Sequence, residues 1–214
     1  MLVATLPLMA QEAPPPISVG AGGNALELGV GAGFTDGWGT FGTSNPGPSR
    51  TAGPGGAVEL DPSWRALPVL AIGLYGFGAQ LTETPALPSA GDVMQAGAGV
   101  QGIVHIVPAA PRFDPWISLG TGWRGQWLAY DSGPSTAQNG WDFVRARAGL
   151  DARITPGLAL GPVLGASITR YYSQELLNGP WTAVPAAGVN VYVFAGVQAT
   201  LDVPASLKGA GITR

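Results

Sequence analysis

The stretch "GVNVYVFAGVQATLDV", residues 188–203, alternates without a miss. Val189, Val191, Val193, Ala195, Val197, Ala199, Leu201 and Val203 hold every second place. Asn190, Tyr192, Phe194, Gly196, Gln198, Thr200 and Asp202 stand between them. A period of two gives a β-strand one apolar face and one mixed face. A soluble barrel turns the apolar face inward, whereas a barrel in lipid turns it outward and keeps the polar face in its lumen. The remainder of the chain decides between the two.

The same period recurs. "ALELGVGAGF" (25–34) sets Leu26, Leu28, Val30, Ala32 and Phe34 against Glu27 and three glycines. A short second strand, "GAVELD" (56–61), is expected to stop at Pro62. The third, 66–81, is apolar on both faces, so its orientation is open. The fourth, 92–107, opposes Met94, Ala96, Ala98, Val100, Val104 and Ile106 to Gln95, Gly97, Gly99, Gln101 and His105. Further strands follow over 116–130, 141–155 and 158–172, the last two joined by the tight turn "TPG". Connections alternate long and short along these eight strands. That rhythm predicts an all-β, eight-stranded antiparallel up-and-down transmembrane β-barrel over residues 25–203, with short periplasmic turns and long external loops.

Four features put lipid outside. Only 11% of residues are charged, against about a quarter in soluble domains, so much of the surface does not face water. The charges of the alternating segments fall on the non-aliphatic face: Glu27, Glu59, Arg124, Arg145, Arg147, Asp151, Arg153 and Asp202, with His105 beside them. Glycine next to long charged side chains is how so narrow an interior can be filled. Aromatic residues gather at both ends of the strands, as at membrane interfaces. Trp64, Phe113 and Trp116 are assigned to the short-turn band; Trp127, Trp141, Tyr171 and Tyr172, with Phe143, to the long-loop band.

Residues 1–10, "MLVATLPLMA", read as the remnant of a signal peptide, 11–24 as a Pro/Gly-rich segment and 204–214 as a tail. No apolar run reaches the roughly 18 residues of a membrane helix. Cysteine is absent, which excludes disulfides and thiolate sites.

"PWISLGTGWR", followed by "RARAGLDARITPGLALGPVLGASI", resembles the small eight-stranded outer-membrane β-barrels, that is, OmpA-type transmembrane domains and the opacity-like barrels. The resemblance spans about residues 25–203 and implies the bacterial outer membrane, with its lipid bilayer as the first partner. Members of that family usually end the last strand on an aromatic residue. Here Val203 leads into "PASLKGAGITR".

Chemistry is sparse. The sole histidine, His105 in "IVHIV", has no serine two residues away. Ser118 with Glu59 or Asp202 is the nearest approach to a triad. A buried histidine bonded to Gln101 or a carboxylate accounts for the same residues. No catalytic, cofactor or metal site is expected. With a net charge of −3 and no basic run, nucleic acid is not an expected partner.

The lumen charges allow two readings. One is a salt-bridged plug. The other places Arg124, Arg145 and Arg147 in the outer half, short of acidic partners, as an anion-attracting mouth. Glu27, Glu59, Asp151, Arg153 and Asp202 then lie toward the periplasmic end. The loops at 35–55, 82–91, 131–140 and 173–187, with Trp38, Phe41 and Trp181, either face an external ligand or partner or fold over the mouth. The expected role is structural or surface-interacting. The alternatives are a narrow-lumen or lateral transporter of small or hydrophobic molecules, a lipid-modifying outer-membrane enzyme, and a secreted soluble ligand-binding barrel.

Overall fold

The computed structural model describes residues 24–40, 52–83, 90–106, 112–130 and 135–204. The expectations for residues 1–10, for the tail and for Phe41 lie outside them. The strands are β1 (Ala25–Gly39), β2 (Ala52–Leu67), β3 (Leu70–Glu83), β4 (Ala90–His105), β5 (Phe113–Tyr130), β6 (Thr136–Thr155), β7 (Leu158–Glu175), the short β8 (Trp181–Ala183) and β9 (Asn190–Pro204). Every neighbour is antiparallel. β1 pairs with β9, β9 with β7 and β7 with β6, so eight long strands close into a ring, while β8 rides on the end of β7. Closure leaves no unpaired sheet edge within the ring.

The apolar face points out. Leu26, Val30 and Phe34 on β1 are exposed, as are Leu160, Leu164 and Ile168 on β7 and Val191, Val197, Leu201 and Val203 on β9. Glu27, Arg145, Arg147 and Gln198, one residue off such positions, are buried in the lumen. Charged residues inside and a continuous aliphatic surface outside are the reverse of a soluble barrel. The third strand is resolved the same way, with Ile72 and Leu74 outside and Tyr75 and Leu81 inside.

Three local features depart from the expected strand pattern. β2 does not end at Pro62 but runs on to Leu67. Leu60 pairs with Gly76 and Ser63 with Gly73, so Pro62 falls opposite Leu74, where the proline has no N–H to give. Gln101 reaches over from β4 and donates its Nε2 to the Leu74 carbonyl at 3.3 Å and to Asp61 Oδ1 at 3.0 Å. In β6, the register shifts between Asp142 and Val144, and Phe143 and Val144 both face out. This bulge changes the inward set from even to odd numbers, carrying Asp142 into the lumen along with Arg145 and Arg147. β6 starts earlier and β7 ends later than expected, at Thr136 and Glu175, so the third and fourth long loops are shorter than anticipated.

Lumen glycines make room for rings. A Cβ on Gly97 would overlap Phe77, and one on Gly149 would fall within the Trp116 indole. Gly99, Gly120 and Gly122 make the same room for Tyr75.

Candidate functional site in the barrel lumen

Inward positions of successive strands stack into three polar layers. Nearest the short turns, His105 at the end of β4 has Nδ1 3.0 Å from Asp114 Oδ2 and Nε2 3.5 Å from Glu27 Oε2. Arg65 from β2 pairs with Glu27, and its Nη2 lies 3.0 and 3.1 Å from the two imidazole nitrogens. A point that close to both nitrogens must lie over the ring, because in the ring plane it would collide with Cε1. Arg153 pairs with Asp202 and approaches Asp114 at 3.7 Å. Asp151 is buried in the same region, lining a small cavity with Trp116 and Thr200.

The middle layer centres on Arg147. Its Nη2 is 2.7 Å from Glu59 Oε2, its Nη1 is 2.6 Å from Asp61 Oδ2, and Nη2 also donates to Gln198 Oε1 at 2.7 Å. Arg145 takes the other oxygen of Glu59 and lies over the Tyr75 ring, 4.3 Å from its centroid.

The outer layer centres on Arg124. Nε and Nη2 donate to the two oxygens of Asp142 at 2.9 and 3.1 Å, Nη2 also to Ser167 Oγ, and Nη1 to Gln95 Oε1. Phe77 and Tyr192 hold the guanidinium carbon at 4.5 and 4.2 Å from their ring centroids. Tyr171 and Tyr192 share a hydroxyl–hydroxyl bond of 2.8 Å above it.

The anion-attracting mouth is therefore not formed. Arg124, Arg145 and Arg147 each have a carboxylate in reach, because strand tilt brings Glu59 and Asp61 level with β6 and the bulge turns Asp142 inward. Glu59 belongs to the middle layer, not to the periplasmic end. Two aromatic assignments are corrected as well. Trp116 is 4% exposed and Tyr171 is fully buried; both are lumen residues, on the inward parity of their strands. Trp64, Phe113, Trp127, Trp141 and Tyr172 face out. Asp61, Arg65, Asp114 and Asp142 were missed. Asp61 and Arg65 continue the odd-numbered parity of Ala57 and Glu59, a signal that a stop at Pro62 hides.

Little space remains between the layers. One cavity of about 30 Å³ lies between Glu59, Arg124, Arg145 and Phe194, and another of about 20 Å³ between Glu27, His105, Trp116 and Asp151. Arg147 lines both. The larger has room for two or three water molecules and the smaller for one or two, since a single water needs about 10–15 Å³. At the outer end, the segment after β8 folds inward: Val184 donates its N–H to the Tyr172 carbonyl and packs on Tyr171 and Tyr192.

No family model matches the chain, and no curated protein does. Among solved structures it is similar to the outer membrane protein OprG of Pseudomonas aeruginosa, at 14% identity and a TM-score of 0.54, covering 85% of this chain and 98% of that one. Neisserial surface protein A gives 11% identity and 0.54, over 84% and 98% of the two chains. The outer membrane protein AlkL gives 13% and 0.50, over 92% and 99%. At these identities the likeness is one of fold. The chain has the fold of the small eight-stranded barrels of the bacterial outer membrane, and its aliphatic belt is the surface such a barrel gives to lipid.

Proposed function

We propose that this protein is a sealed outer-membrane scaffold with a structural or surface-interaction role, neither a pore nor an enzyme. The layered lumen carries that reading. Arg65, Arg124, Arg145, Arg147 and Arg153 each meet a carboxylate, and the two cavities between the layers have room for only a few waters each. On this reading Arg147, which lines both cavities, is the barrier that a hydrated ion or a small solute would meet.

A lateral path would need a break in the wall. At Pro62, where one strand-to-strand hydrogen bond is lost, Gln101 supplies the donor from inside. Between β6 and β7 the ladder skips Leu150 and Asp151, yet the strands are so close that Gly161 has no room for a Cβ against the Leu150 carbonyl. Acyl transfer at His105 would need a free histidine lone pair beside a nucleophile. Both nitrogens of His105 instead face carboxylates, with Arg65 over the ring.

Planar-bilayer recording on the refolded protein tests the reading. Absence of stepwise current is the expected result. Steady ohmic steps, abolished by boiling the sample, would replace the scaffold with a channel.

A further inference from the structure

The outward face of β5, β6 and β7 differs from the rest of the wall near the external end. On β7 the lipid-facing run is Leu160, Pro162, Leu164, Ala166 and Ile168, and it ends at Arg170, which is exposed. At about 3.3 Å per residue and a tilt of roughly 40°, that run spans about 20–25 Å, the height of the apolar band of such barrels. Arg170 therefore stands at the upper boundary of the belt. Its register partner on β6 is Trp141, 42% exposed, and Tyr172 follows above it, 52% exposed.

This wall also rises past the opposite one. The cross-strand row that starts at Phe34 on β1 passes through Gly56, Gln80, Met94, Trp127 and Ala137 and reaches Glu175 on β7. Going the other way round, the same residue leads through Ala195 to Leu164, far lower on β7. Each strand step lifts the row by about 3 Å at that tilt. Trp127 thus lies about 12 Å above Phe34, beyond the acyl region.

The rings on this wall are fixed. Trp141 donates its indole N–H to Thr121 Oγ1 at 2.8 Å, Trp123 donates to Asn139 Oδ1 at 3.1 Å, and Trp123 and Trp127 meet edge to face at 6.0 Å. Held indoles beside an exposed guanidinium, directly above lipid, offer flat apolar faces for sugar rings and a fork of donors for phosphate.

We propose that the outward surface formed by Trp127, Trp141, Arg170 and Tyr172 binds the phosphorylated sugar headgroup of an outer-leaflet glycolipid. Arg170 takes the phosphate and the indoles stack on the sugar. The surface is continuous with the lipid belt, so its ligand arrives with its acyl chains already seated on Leu164 and Ile168. Nothing in this depends on whether the lumen conducts.

Native mass spectrometry of the detergent-purified barrel would count retained lipids. The probes are an acylated glucosamine-disaccharide diphosphate, its dephosphorylated form and phosphatidylglycerol. The diphosphate form is expected to be retained at about tenfold lower concentration than either other lipid. Arg170→Gln should erase the advantage over the dephosphorylated form, and Trp141→Leu should weaken retention of both glycolipids. Phe113→Leu at the opposite rim should change neither, and unboiled gel mobility checks that each variant is folded. Equal retention of the three lipids, or an unchanged advantage in Arg170→Gln, would overturn the proposal.

Discussion

Asp142 accepts both Nε and Nη2 of Arg124, at 2.9 and 3.1 Å, from a position that strict alternation along β6 would have turned to lipid. The bulge at Phe143 and Val144 makes the pair possible. Thr169 adds a hydroxyl to the same carboxylate, and both members of the pair are buried.

Removing one partner of a buried ion pair costs about 3–5 kcal/mol, while replacing both by apolar groups costs far less. Asp142→Ala should therefore lower the urea midpoint of unfolding from lipid vesicles by more than the double variant Asp142→Leu with Arg124→Met. A double variant that loses as much as the two single changes summed would mean that the pair is not coupled.

Gly149 is required by Trp116. Gly149→Ala overlaps the indole and should destabilise the barrel by about 1–3 kcal/mol, the usual cost of overpacking. In a Trp116→Val background the same alanine should cost almost nothing. The coupling energy from that double-mutant cycle is the measurement, and additive effects would contradict the packing described.

Gln101 is predicted to matter because of a proline it does not touch along the chain. Gln101→Leu leaves the Leu74 carbonyl without its side-chain donor and removes a bond to Asp61. About 1–3 kcal/mol is the expected cost. Adding Pro62→Ala restores an N–H opposite Leu74 and should recover part of it, read by the same unfolding titration.

Arg147→Ala should join the two lumen cavities, which that side chain now lines from both sides. It also strips Glu59 and Asp61 of a cation. Small, cation-selective currents absent from the parent protein are expected in planar bilayers. A variant that folds, by unboiled mobility, and stays electrically silent would place the barrier elsewhere.

Alternation alone carried much of this molecule. The spacing in "GVNVYVFAGVQATLDV" set the outward face of β9 from Val191 to Val203, and the same period set the inward positions of Glu27, Arg145, Arg147 and Gln198. A charge in the acyl region costs several kcal/mol, so parity and lipid exposure cannot be chosen independently. That constraint is local and is written in the order of the residues.

Which charge meets which was decided by closure. Glu59 and Arg145 are 86 residues apart and become neighbours only when the tilted ring shuts and fixes their heights. A simple alternation rule fails at Asp142, whereas at Trp116 and Tyr171 the rule holds and residue type misleads. A one-residue bulge reverses parity without any residue type that announces it. Trp116 and Tyr171 carry the composition of an interface aromatic yet occupy inward positions, where Gly149 in one case and Tyr192 with Val184 in the other have space for the ring. Period two therefore determines which way side chains face within an unbroken strand, whereas bulges, height, pairing and the fit of rings against glycines depend on strands that the chain brings together only in three dimensions.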